Sequence, residues 1–210
     1  MYNDRPNFIL GFHGCDESDC HSLLNSSSKI KSSKEAFDWL GHGMYFWENN
    51  YERALIWAKD KKKRGKLKNP AVIGAIIQPG HCCDFTDTKY IEVIKAYYRL
   101  LSDKHYKAGV PLPVNKDVKH DLHKDQLMRE LDCTTIEFMH NGILNQFSSD
   151  VNSKGYSEFR LFDSVKGVFT EGGPAFPGAG IYNKSHIQIC VRNSNCIKGF
   201  FLPRTKAVWP

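Results

Sequence analysis

The sequence contains no apolar run that approaches the roughly 18 residues needed to cross a membrane. Its first ten residues, MYNDRPNFIL, lack the basic segment and long apolar segment of a secretory signal peptide. These two absences predict a cytoplasmic protein with no membrane partner. The seven cysteines are odd in number and irregularly spaced, which argues against a disulfide framework and favours reduced thiols.

Internal repeats, low-complexity arrays and clear interdomain linkers are also missing. A chain of 210 residues is long enough to bury one sizeable core, and its 41% apolar and 25% charged residues are ordinary for a globular protein. We therefore predict a single domain over residues 1–210.

The net charge of +6 owes much to the stretch KDKKKRGKLK at residues 59–68. Such a stretch could face nucleic acid, or it could be a solvated helix end, where basic residues are favourable and keep a protein soluble. No zinc finger or RNA-binding signature accompanies it. Both interpretations stay open at this point.

Hydrophobic periodicity predicts an α+β layout of short strands and helices. The N-cap candidates for the second helix are Asn49 and Asn50. The predicted strands cover residues 8–12, 43–47, 70–80, 162–172, 186–192 and 196–203, and the predicted helices cover 17–27, 51–64, 88–104 and 125–143. Residues 105–124 and 147–158 are predicted loops, and the Gly- and Pro-rich segment 172–185 is long enough to suggest a functional loop.

Two motifs near the N-terminus carry a family resemblance. The first is GFHG, which places His13 and Gly14 after the first strand, and the second is GMYF, which places Tyr45 and Phe46 in the second strand. Together with a late strand after a Gly-rich loop, they resemble the ADP-ribosyltransferase superfamily in its diphtheria-toxin and PARP-like His-Tyr-Glu class. The resemblance implies a split β-sandwich with flanking helices around a cleft for NAD.

The resemblance also implies roles for these residues. NAD would be the co-substrate, with His13 bonding a ribose hydroxyl and Gly14 offering backbone groups to the nicotinamide amide, since no Cβ blocks the approach. Tyr45, with Phe46 beside it, would supply an aromatic face for the ring. Cleavage of the glycosidic bond passes through an oxocarbenium-like transition state, which needs electrostatic stabilisation.

The chain departs from the family pattern at the third motif residue. In the strand HIQICVR, Gln188 stands where the family carries Glu, and His186 shares its face of the strand two residues earlier. Gln keeps a hydrogen bond but lacks the negative charge. Glu171, at the start of the Gly-rich segment, could supply the missing carboxylate, so we expect Gln188, Glu171 and His186 to be the catalytic candidates.

The predicted function is transfer of ADP-ribose from NAD to a macromolecule, protein or nucleic acid, as a bacterial or phage toxin or defence effector. NAD glycohydrolysis and a catalytically degenerate binding module of the same fold are the alternatives. No metal is expected. Two zinc sites are weak alternatives, because neither has a paired C-x-x-C. One would use Cys15, Cys20 and His21 with Cys82 and Cys83, and the other would use His120 with His123.

Overall fold

The computed structural model describes residues 4–5, 8–26, 30–119 and 121–204. Its helices are α1 (Glu17–Asn25), α2 (Tyr51–Lys63), α3 (Thr88–Ala108) and α4 (Glu130–Lys154). Its strands are β1 (Asp4–Arg5), β2 (Ile9–Asp16), β3 (Met44–Glu48), β4 (Pro70–Ile77), β5 (Gly80–Asp84), β6 (Asn115–Lys116), β7 (Met128–Arg129), β8 (Ser164–Phe169), β9 (His186–Val191) and β10 (Ile197–Phe201). The α+β class predicted from the sequence is confirmed.

Seven strands form one mixed open sheet in the order β5-β8-β9-β3-β2-β4-β10, and the two-residue β1 extends the β5 edge. The pair β5–β8 is parallel, and the other pairs of this sheet are antiparallel. Two stacked sheets were expected from the resemblance. The strands instead share one sheet because β3 pairs with β9 on one side and with β2 on the other.

Side chains that alternate along β3 and β9 build a core on each face of this sheet. Phe46 and Ile189 pack with α1 on one face. On the other face, Trp47 packs against α2, and Cys190 packs against α3 and α4. Helix α1 therefore covers one face, while the three other helices cover the opposite face.

Of the described helices, α1, α2 and α3 begin at a side-chain N-cap, and the cap of α2 is one of the two predicted from the sequence. The side chain of Asn50 accepts a hydrogen bond from the backbone N–H of Arg53, which makes Asn50 the N-cap of α2. Asp16 and Asp87 cap α1 and α3 in the same way. Gly109 ends α3 in the left-handed conformation that glycine tolerates.

Two predicted loops are corrected by the structure. Helix α3 continues to Ala108, into the segment predicted as a loop, and α4 continues through residues 147–154. The last turns of α4 hold because Asp150 accepts hydrogen bonds from Gln146 and Lys154, each four residues away. No helix of the described residues is long and apolar enough to span a membrane.

Candidate functional site

Strands β2 and β3 separate halfway along their length. Their register pairs are Gly11 with Glu48 and Phe12 with Trp47, whereas β2 continues to pair with β4 as far as Asp16. The carbonyl of Leu10 accepts a hydrogen bond from Asn49, just after β3. Because backbone groups of successive strand residues point to alternate sides, those of Gly14 face the opening between β2 and β3, which we call the gap.

His13 bridges the gap with its side chain. Its Nδ1 lies 2.8 Å from the carbonyl oxygen of Tyr45, so Nδ1 carries the proton and donates it. Burial lowers the pKa of His13, and the positive charge of Lys61 lowers it further, against the opposing effect of this hydrogen bond. The neutral ring therefore keeps Nε2 as an acceptor, for which the described residues provide no hydrogen-bond partner.

A cavity of about 380 Å³ lies beside the gap on the α1 face of the sheet. It is lined by His13, Cys15, Asp19, Ser22, Leu23, Ile30, Lys31 and Met44. The volume is in the range of small-molecule sites, and the lining combines apolar side chains with a few polar groups, as such sites do.

Gly14 faces the gap, and glycine is also needed at this position for helix α2 to pack against β2. A Cβ atom at this position would lie 2.3 Å from the backbone oxygen of Ala54, so only glycine lets α2 pack this closely. The close approach brings Trp57 of α2 to 6.3 Å from the ring of His13, measured between ring centroids.

Tyr45 and Phe46 serve the structure on both faces of β3. The Tyr45 hydroxyl accepts from the backbone N–H of Leu40 (2.9 Å) and donates to the carbonyl of Gly41 (2.7 Å), and burial raises its pKa. Phe46 is fully buried and lies 5.8 Å from the ring of His13. The Phe46 ring thus packs beside the His13 ring, while the Tyr45 hydroxyl holds the turn before β3.

Gln188 has a fixed orientation. The indole N–H of Trp39 lies 2.6 Å from the side-chain amide of Gln188, and because an indole nitrogen only donates, the amide atom it meets is the oxygen. The amide NH₂ of Gln188 is the group that remains for other partners. Trp47 is the register partner of Gln188 on β3.

Glu171 and His186 join Gln188 in a polar, aromatic cluster on the α2 face. Glu171 is buried and forms an ion pair with Arg53 of α2. His186 stacks on Phe169, and burial lowers its pKa to about 4, with the charges of Arg53 and Arg129 acting in the same direction. The His186 Nδ1 donates to the carbonyl of Lys184 at 2.7 Å.

Aromatic rings connect the gap with this cluster. The centroid distances are 6.3 Å from His13 to Trp57, 5.6 Å from Trp57 to Trp47 and 6.2 Å from Trp47 to His186. The predicted residues thus fall into two neighbouring groups, with His13 and Gly14 at the gap and Gln188, Glu171 and His186 in the cluster. Arg53 is not among the residues predicted from the sequence, because nothing in the pattern around this helical residue indicates a distant carboxylate.

The two cysteine pairs of the first zinc alternative lie far apart across the sheet. Cys15 and Cys20 are in contact, with 3.3 Å between their sulfur atoms, but β5, which carries Cys82 and Cys83, is separated from β2 by three strands. Within the described part of the chain, no three His, Cys, Asp or Glu side chains form a group that could hold a metal ion. His120 lies outside the described residues.

Comparison with known proteins gives one relative. It is the uncharacterized protein MJ0359 of Methanocaldococcus jannaschii, 30% identical over 204 residues that cover 89% of this chain and 83% of the relative. The chain belongs to the family of this protein. No protein-family model and no solved structure matches. The name of the relative carries no activity, so the function has to be argued from the site.

Proposed function

We propose that the chain binds NAD at the gap and transfers its ADP-ribose to a macromolecular acceptor, within an ADP-ribosyltransferase-like fold. The observation that carries this proposal is the opening of the sheet beside His13 and Gly14. A carboxamide needs one donor and one acceptor close together, and the backbone of Gly14 offers both toward the gap without a Cβ in the way.

The fold supports the proposal in a second way. The motif residues follow one another along the chain as the resemblance implies, with a His-Gly strand, a helix, a Tyr strand, a helix, and late strands after a Gly-rich segment. Strands β3 and β9, which carry Tyr45 and Gln188, are neighbours in the sheet. The finer architecture differs from two separate sheets in that one sheet opens locally at the gap.

The proposed reaction breaks the bond between the ribose C1′ and the nicotinamide nitrogen. Nicotinamide leaves as a neutral molecule with the bonding electron pair, and a nucleophilic oxygen or nitrogen of the acceptor attacks C1′ and loses its proton. His13 Nε2 can accept a hydrogen bond from a ribose hydroxyl, because the ring is neutral. The indole rings of Trp57 and Trp47 lie between the gap and the cluster around Gln188.

A second candidate, a binding module that holds NAD without cleaving it, is favoured by the orientation of Gln188. Its oxygen already accepts from Trp39, so it presents a donor where an oxocarbenium-like transition state needs negative charge. The carboxylate of Glu171 is at the same time neutralised by Arg53. Cleavage and mere binding therefore have to be separated by measurement.

The test uses the purified protein with NAD labelled in its adenylate phosphate, in the presence of cell extract. We expect nicotinamide release and label in protein or nucleic acid. His13→Ala should abolish both, whereas His21→Ala, an exposed histidine on α1, should leave both unchanged. Normal turnover by folded His13→Ala protein would exclude the gap as the site. A thermal shift with NAD but no nicotinamide release would establish the binding module.

A further inference from the structure

The basic stretch at residues 59–68 has a defined place in the fold. It forms the last turn of α2 and the connection to β4. The connection is tied to the end of β2, because Asp16 accepts hydrogen bonds from the backbone N–H groups of Lys68 (2.8 Å) and Asn69 (3.0 Å). Within the stretch, Lys61 lies next to Trp57 of α2, whose ring is 6.3 Å from that of His13, so the stretch approaches the gap from the α2 face of the sheet.

The cations of this stretch are largely uncompensated. The stretch holds seven basic residues and one acid, Asp60, which pairs with Lys63 at 3.1 Å. The carboxylate of the neighbouring Asp16 is occupied by backbone N–H groups. The other six basic side chains form no ion pair with any residue that the structure describes: Lys59, Lys61, Lys62, Arg64, Lys66 and Lys68. We call the last five of these residues the basic rim.

Favourable placement at a helix C-terminus does not account for the basic rim. The helix dipole acts only on charges within the last turn, and Lys66 and Lys68 lie beyond the end of α2. Lys61 lies 3.9 Å from the ring centre of Trp57, and its pKa is lowered by burial and then by the charge of Arg64. Crowding of like charges opposes folding, and a bound polyanion would relieve it.

We propose that the basic rim binds the phosphate backbone of a nucleic acid. Polybasic membrane contacts usually combine charge with inserted apolar side chains, but residues 57–75, all of which the structure describes, expose no large hydrophobic side chain. The basic rim also lies close to the gap through the contact of Lys61 with Trp57, whose ring neighbours His13. This assignment rests on the proposed function: the acceptor of ADP-ribose is a nucleic acid bound along the basic rim.

Binding is tested first, without NAD, by fluorescence anisotropy with a fluorescein-labelled 20-nucleotide DNA strand and the RNA of the same sequence. For a single strand, the logarithm of the binding constant falls with the logarithm of the salt concentration by about 0.7 per phosphate contact. If four cations of the basic rim each contact one phosphate, the affinity should fall about 50-fold between 50 and 200 mM NaCl. The triple variant Lys62→Glu, Arg64→Glu, Lys66→Glu should bind at least about 30-fold more weakly at 50 mM NaCl.

A matched variant carries the same charge change away from the rim, at three exposed lysines of α3 and the following loop: Lys104→Glu, Lys107→Glu, Lys119→Glu. Its affinity for the strands should fall less than about threefold, because these positions lie outside the basic rim. Equal losses in both triple variants would overturn the proposal, since only net charge would then matter. Tight binding to phosphatidylserine vesicles with weak binding to both strands would also overturn it, in favour of a membrane.

Transfer is tested next with adenylate-labelled NAD and the same strands. Label should enter the strand with the native chain, whereas the rim variant should release nicotinamide with water as the acceptor, giving free ADP-ribose and no labelled strand. If the native chain cleaves no NAD, the acceptor assignment falls with the proposed function, while salt-dependent binding that the rim variant loses still establishes the nucleic-acid surface. Labelled protein with unlabelled strands would overturn the acceptor assignment alone.

Discussion

The two sides of β3 differ in how their polar groups are used. Toward β9, four register pairs close the ladder, and the candidate side chains have internal partners. Gln188 accepts from Trp39, and Glu171 pairs with Arg53. Toward β2, only two register pairs form, and His13 bridges the remaining distance with one ring nitrogen.

This difference separates residues that hold the fold from residues that can meet a ligand. A buried polar group with a partner contributes to stability, and removing the partner leaves a costly unpaired group. A group without an internal partner is the one that a ligand can satisfy. Substitutions on the β9 side should therefore change mainly the free energy of unfolding. Substitutions at the gap should change mainly the binding and turnover of NAD.

Gln188→Glu should have the largest effect, and it would give a residue on the β9 side a direct role in NAD cleavage. The carboxylate can keep the hydrogen bond from Trp39 through one oxygen, while the other replaces the NH₂ group with negative charge. We expect nicotinamide release from NAD to rise by about 10²–10³-fold, the usual contribution of one electrostatic stabiliser. Gln188→Met, of similar size and without charge, should not raise it. Unchanged turnover in a Gln188→Glu protein that still binds NAD would mean that a missing carboxylate does not limit the reaction.

Glu171→Gln should cost about 3 kcal/mol of unfolding free energy, because it leaves the largely buried Arg53 without its counter-ion. Urea unfolding at pH 7 measures this loss, and Glu52→Gln, an exposed neighbour on α2, should cost less than about 0.5 kcal/mol. A stable Glu171→Gln protein whose NAD turnover falls by 10² or more would instead give Glu171 a catalytic role.

The same contrast shows what could be read from the sequence. The central residues of α1, α2, β3 and β9 could be predicted from hydrophobic periodicity and caps, because these signals are local in the sequence. Ser, Asp and Asn at residues 149–152 favoured a loop, yet they extend α4, since Asp150 gains partners along the helix.

Contacts between distant residues explain the part of the site that the sequence could not predict. Trp39 and Gln188 are 149 residues apart, and Arg53 and Glu171 are 118 residues apart. Whether a polar residue in a predicted strand faces a ligand or an internal partner depends on such pairs, and nothing in a single sequence connects them.

Tyr45→Phe tests whether the hydroxyl belongs to the structural side of β3. The variant removes one hydrogen bond to Leu40 and one to Gly41, and we expect a loss of about 1–2 kcal/mol in urea unfolding. The affinity for NAD, measured by calorimetry, should change less than about twofold, because the aromatic ring remains. Tyr45→Ala should weaken NAD binding further. Normal stability with a large loss of affinity in Tyr45→Phe would place the hydroxyl in the NAD site.

The last expected effect is a loss of stability in mild acid that depends on the protonation of His186. Its pKa is about 4 in the folded chain, mainly because of burial, and about 6.5 in the unfolded chain. The unfolded state therefore binds a proton more readily between these values, so the contribution is complete above about pH 6.5 and is lost as the pH falls toward 4. Between pH 7 and pH 5 we expect His186 to account for about 2 kcal/mol of the fall in unfolding free energy.

His186→Asn isolates this contribution, because the asparagine amide can still donate to the Lys184 carbonyl but does not titrate. The other buried histidines, such as His140 with a pKa of about 3, remain in both proteins and cancel in the comparison. Urea unfolding at pH 7 and pH 5 should show a fall smaller by about 2 kcal/mol in the variant. Equal falls would mean that the imidazole of His186 is as accessible to protons in the folded chain as in the unfolded one, and that the cluster on the β9 side is open to water.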